Sequence, residues 1–134
     1  MITLGGISHF YNEELLIPYW FNHHKNLFDE LILVDYHSTD NSRAMLEGMC
    51  AVQRDRGKNW RVVTTQYDRF QAATNDAEVM YYEAQLETEW KLALNTTEFV
   101  WDVKFKETLE RLGNSYNYDR LNISAFGMRS FVMV

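Results

Sequence analysis

The sequence predicts an α/β fold: a three-layer sandwich on a mainly parallel, Rossmann-like sheet. Three observations carry this. Short apolar or β-branched runs alternate with helical patterns along the whole chain, the order that builds βαβ units. The run Leu31–Val34 is apolar without interruption, as expected of a strand buried on both faces. Each strand-like run then stops in polar residues, and in parallel α/β sheets ligands bind beyond the carboxyl ends of the strands. With 134 residues, 46% of them apolar and 15% aromatic, residues 1–134 form a single domain with a sizeable core, and such a composition is not that of a disordered chain.

The elements follow in order. Ile2–Phe10 reads as the first strand, and Gly5-Gly6 inside it points to close approach of another backbone or of a ligand. Asn12 can cap the next turn or helix, with Glu13 and Glu14 favouring the positive helix end. Pro18 belongs in a first turn, so the helix starts near it. Ile17, Trp20, Phe21, His24, Leu27 and Phe28 then give it an apolar face, with His24 packed and His23 exposed. Leu31–Val34 is the second strand, ending at Asp35, and Ser38–Ser42 is turn and cap chemistry. Residues 43–55 read as helix, Trp60–Thr65 as the third strand and residues 71–88 as helix. In that last helix Ala73, Ala77, Met80, Tyr81 and Ala84 share one side. Trp90–Leu94 is the fourth strand, Lys104–Leu112 a helix stopped by Gly113, and Leu121–Val134 a fifth strand.

Composition narrows the function. A formal net charge of -6 argues against a general nucleic-acid binder, which needs a basic surface for phosphates. The lone Cys50 excludes an internal disulfide framework and a cysteine-rich zinc site, and it fits a reducing compartment. The opening "MITLGGISHF" lacks the basic and long apolar regions of a signal peptide. No apolar run approaches the roughly 20 residues of a membrane-spanning helix. A cytoplasmic protein without a membrane span is therefore the expectation. Neither G-x-G-x-x-G nor G-x-x-x-x-G-K-[ST] occurs, so the dinucleotide and P-loop fingerprints are absent. The strand ends Ser8–Glu13, Asp35–Asp40, Gln66–Asp76 and Asn95–Glu98 would instead make an acidic, hydroxyl-rich crevice. Such a crevice suits a ribose or sugar, or a cation that bridges to a diphosphate.

Four segments in sequence carry a resemblance. They are Asn12-Glu13 after the first strand, Ile17-Pro18-Tyr19-Trp20 with His24, Asp35 followed by Ser38-Thr39-Asp40, and Gln71 with Asn75-Asp76 before an aromatic-rich helix and Trp90. In this order they resemble the nucleotide-sugar glycosyltransferases of the GT-A fold, closest to family-2-like and family-92-like transferases. The resemblance covers Ile2 to about Phe131. It implies a nucleoside-diphosphate-sugar donor held by Asn12, Glu13, Asp35, Gln71 and Asn75. It also implies transfer of the sugar to an acceptor whose identity the residues do not give.

In that family an Asp-x-Asp-Glu-Phe motif holds Mn²⁺ or Mg²⁺ against the diphosphate. It aligns here with Asn95-Thr96-Thr97-Glu98-Phe99. The motif is degenerate, because Asn95 and Thr97 give oxygens without charge. A metal at Asn95, Thr97 and Glu98 is therefore expected to bind weakly, and the isolated chain is expected to show little or no transfer. The resemblance stops where the family's acceptor-binding half would begin, and the ending "SFVMV" reads as cut. A missing C-terminal segment or a homo-oligomer would complete such a fold. A module that binds the nucleotide sugar without catalysis, or that keeps only the fold, is the alternative. Plain structural roles stand beside the sharper ones: Asp35 to Asp40 as turn and cap, Asn12-Glu13 as a cap, and Gln71 and Asn75, four apart, as a solvated helix face.

Overall fold

The computed structural model describes residues 2–69, 71–101 and 104–116. The predicted fifth strand lies outside the described residues. Eight elements follow one another: β1 (Leu4–Phe10), α1 (Ile17–His24), β2 (Glu30–Asp35), α2 (Ser42–Asp55), β3 (Asn59–Thr64), α3 (Ala72–Glu83), β4 (Trp90–Ala93) and α4 (Phe105–Tyr116). The strands form one sheet in the order β3-β2-β1-β4, and all its pairings are parallel. The expected Rossmann-like α/β sandwich is the fold observed. Among the described residues no helix is long and apolar enough to cross a membrane.

The two sheet faces follow from the period of two along a strand. Leu31 and Leu33 of β2, with Leu4 and Phe10 of β1, join Ile17, Trp20, Phe28, Leu46 and Trp60 in one core. Phe105 and Leu109 bring α4 to the same face. Ile32 and Val34, with Ile7, pack on the other face against Tyr82 and Leu86. The uninterrupted run in β2 thus serves both layers. Pro18 stands in the first turn of α1, as the sequence requires.

Three details add to or depart from the sequence pattern. The side of α3 bearing Ala73, Ala77, Met80, Tyr81 and Ala84 faces outward, with Met80 68% and Tyr81 55% exposed. Val79, Tyr82 and Leu86, spaced as one helical stripe, pack against the second core instead. The three alanines on the outward side would bury little area. Gly113 does not stop α4, which continues to Tyr116. Glycine inside a helix costs about 1 kcal/mol, a penalty that packing of Phe105 and Leu109 offsets. The atoms nearest to Gly5 and Gly6 are those of side chains rather than of another backbone. A Cβ on Gly5 would lie 2.3 Å from Thr88 Oγ1, and one on Gly6 would lie 2.6 Å from Phe28 Cε1 and 2.8 Å from Leu31 Cδ1. Because Phe28 and Leu31 are fully buried, they have nowhere to retreat. Gly6→Ala is expected to destabilise the fold by about 1–3 kcal/mol in urea unfolding. An unchanged midpoint would show that the core yields more easily than its packing indicates.

Candidate functional site

Strand order fixes where a site can form. From β1 the chain moves outward to β2 and β3, then crosses the other way to β4 on the far side of β1. The order therefore reverses at the β1/β4 seam, the position where open α/β sheets leave a crevice for ligands. A cavity of about 510 Å³ opens there. All four carboxyl ends line it: His9, Phe10, Tyr11 and Glu13 after β1, Tyr36 and His37 after β2, Tyr67, Asp68 and Arg69 after β3, and Asn95, Thr96 and Thr97 after β4.

Local sequence dictates how each wall is held. Asn12 adopts φ 49°, a left-handed conformation that asparagine tolerates better than most residues. Its Oδ1 accepts from the backbone N–H of Thr39 (2.7 Å) and of Asp40 (3.3 Å), and its own N–H donates to Ser38 Oγ (3.1 Å). The N–H of Glu13 donates to Ser42 Oγ (2.8 Å), and Glu14 Oε2 accepts from the N–H of Asn41 (3.2 Å). The loops after β1 and β2 are thereby one hydrogen-bonded unit. Asp35 is almost fully buried beneath it. Its Oδ1 accepts from the N–H of Ser38 (2.9 Å), and its Oδ2 lies 3.4 Å from Arg43 Nη1. In the loop after β3, the buried Glu78 accepts from Thr65 Oγ1 (2.7 Å) and from the N–H of Gln66 (2.8 Å).

The stretch Asn95–Trp101 is not a continuing strand. Glu98 N–H donates to the Asn95 carbonyl (3.0 Å), and Glu98 Oε2 accepts from the Asn95 N–H (3.0 Å), closing a tight turn. Glu98 therefore does not project from a strand: its carboxylate folds back onto the turn. Helix α1 clasps this segment. Trp20 Nε1 donates to the Glu98 carbonyl (2.9 Å), and His23 Nε2 lies 2.6 Å from the Val100 carbonyl, which can only accept. His24 Nε2 accepts from the Val100 N–H (3.1 Å), while its Nδ1 donates to the Trp20 carbonyl (2.9 Å). His24 is fully buried, and that burial, the dominant cause, pushes its pKa down to about 4.

Of the residues singled out in the sequence, Glu13, Asn95 and Thr97 line the cavity. Asn75 reaches its wall indirectly, accepting a short hydrogen bond from the Tyr36 hydroxyl. Burial, reinforced by Glu78, raises the Tyr36 phenol above its usual range, so it stays protonated as a donor. Asn12, Asp35 and Glu98 are engaged in the loops just described. Gln71 occupies the N-cap position of α3 without a side-chain cap bond. Asp35 and Asn95 share the carboxyl edge of the sheet, with β1 between their strands.

His9, Tyr36, His37, Tyr67, Asp68 and Arg69 were not assigned roles, although all fall at strand ends, the one signal that marked them. His9 Nδ1 lies 2.7 Å from Asn95 Oδ1, and because that oxygen can only accept, the proton sits on Nδ1. His37, at φ 61°, donates through Nε2 to the Tyr67 carbonyl (3.1 Å). Cys50 is buried and its thiol is pushed up to about 11, mainly by burial, so it is no nucleophile.

The residues present do not fit the divalent metal that the resemblance implies. Asn95 Oδ1 is engaged with His9, and the Glu98 carboxylate is engaged by the Asn95 N–H. Among the described residues no group of three His, Cys, Asp or Glu could hold a metal ion. Fold and cavity define a Rossmann-like α/β domain with an open, mixed polar and aromatic ligand cavity at its switch point. No family model matches the sequence, and no curated protein does. A solved structure that the fold is similar to is the mannosyltransferase PcManGT from Pyrobaculum calidifontis in complex with GDP-Man and Mn²⁺. The TM-score is 0.47 at 20% identity, over 60% of this chain and 24% of that one.

Proposed function

We propose that this chain is a glycosyltransferase-like domain of GT-A type whose switch-point cavity holds a nucleoside-diphosphate sugar, with the sugar passing to an acceptor. One observation carries the reading: residues from all four strand ends converge on one cavity, and Glu13, Asn95 and Thr97 from the segments that resemble the glycosyltransferases are among them. Its chemistry suits such a ligand. The rings of Tyr11, Tyr36 and Tyr67 offer apolar faces to a base. Glu13 and Asp68 accept hydroxyl protons, and the amide of Asn95 and hydroxyl of Thr97 add neutral polar contacts. A volume of about 510 Å³ lies within the range of small-molecule sites.

Binding without transfer is the second reading. It is favoured by the engagement of Asn95 and Glu98 with His9 and with each other, which leaves the degenerate motif serving structure.

Calorimetry with UDP-glucose, GDP-mannose and NAD tests the proposal. A uridine or guanosine diphosphate sugar is expected to bind more tightly than NAD, because the glycine-rich dinucleotide loop is missing from the sequence. Tighter binding of NAD than of both sugar nucleotides would refute it.

A further inference from the structure

Resting on the nucleotide-sugar reading, we infer that the phosphates of the bound nucleotide are held directly by Arg69, without a divalent cation. A nucleoside diphosphate brings two or more negative charges, and something in the wall has to meet them. A metal would need carboxylates around it, and those that the aligned motif would supply are replaced or engaged. Asn95 Oδ1 is 2.7 Å from His9 Nδ1, and Glu98 Oε2 is 3.0 Å from the Asn95 amide nitrogen. Asn95 thus sets the tautomer of His9, a structural use for a neutral oxygen that an aspartate would perturb. Glu13 and Asp68 also line the cavity, yet they belong to no metal-binding group of three among the described residues.

Arg69 is the one arginine, and no lysine joins it, among the described residues lining the cavity. It is exposed, and none of the hydrogen bonds or ion pairs among the described residues engages its guanidinium. A guanidinium carries permanent charge and a planar fork of donors that matches two phosphate oxygens. The other arginine near this edge, Arg43, is engaged with Asp35, Glu47 and Thr64.

The test is calorimetric titration of the whole chain with UDP and with GDP, once in EDTA and once in Mn²⁺, for the native protein, Arg69→Gln and Arg69→Lys. The tighter of the two nucleotides is expected to bind the native protein within about twofold in the two buffers. Arg69→Gln is expected to weaken it by about tenfold or more, and Arg69→Lys to recover part of that loss. Because Arg69 is exposed and no hydrogen bond or ion pair among the described residues engages its guanidinium, the thermal midpoint of both variants should match the native one. Binding that requires Mn²⁺ would overturn the inference and leave the nucleotide reading standing. Unaltered affinity in Arg69→Gln would do the same. Absence of binding in both buffers would overturn both.

Discussion

Trp20→Ala is expected to cost about 3–5 kcal/mol of stability, the range for truncating a large buried aromatic residue. Trp20 is fully buried, central to the larger core, and its indole nitrogen is one of three α1 groups that hold Glu98–Val100. Trp20→Phe separates the two contributions. It keeps most of the ring and loses the bond to the Glu98 carbonyl, so it should cost about 1 kcal/mol from that bond, together with a smaller packing loss. Urea unfolding of the three proteins gives the comparison. A cost for alanine no larger than that for phenylalanine would mean that the core collapses around the missing ring.

The second large effect is a loss of stability in mild acid, traced to His24. Its pKa is about 4 in the folded chain against 6.5 for a free histidine. Between those values the unfolded chain binds more protons than the folded one, so stability rises with pH across this window. The contribution is complete above about pH 6.5 and is lost progressively as pH falls toward 4. The full difference is on the order of 3 kcal/mol. Geometry gives the reason. A proton on Nε2 would replace the acceptor that the Val100 N–H needs and would place a charge in a site closed to water. His24→Leu removes the titrating group, so native protein should lose about 2 kcal/mol more than the variant between pH 7 and 4.5. Parallel losses in urea unfolding at the two pH values would show that His24 does not titrate there. Because Val100 follows the turn at Asn95, the same acid step should loosen one wall of the cavity.

Much of the fold was legible because it depends on short-range patterns. Leu31–Val34 announced a strand buried on both faces, and Pro18 placed the start of α1. Which side of α3 is buried was not legible, because the buried side includes the charged Glu78, whose carboxylate is satisfied by Thr65 and Gln66 just after β3. The cavity walls were half legible. Glu13, Asn95 and Thr97 lie where strands stop, and that much is local. Which side chain meets which is a matter of topology. Nothing in the spacing of His9 and Asn95, far apart in sequence, pairs their side chains; the parallel register of β1 and β4 does. Asn95 stands where the aligned motif has a metal ligand, and only the fold brings its amide oxygen to the His9 ring. Asp35, conspicuous at the end of a strand, has its oxygens engaged with Ser38 and Arg43, a role that only the three-dimensional loop reveals.

The strand order has a further consequence during synthesis of the chain. β1 emerges first and finds β2 soon after, but its other edge stays open until Trp90–Ala93 arrives. Pairing so remote in sequence is slow, because loop closure comes before any reward from contact. Until then the nascent chain displays an unpaired apolar edge, the kind of surface that invites aggregation. The cavity lies across that same seam and is complete only once it has closed. A ligand spanning Glu13 and Thr97 binds the closed form alone, so it would act on maturation as well as on the finished protein, drawing late-docking chains toward the native sheet by mass action.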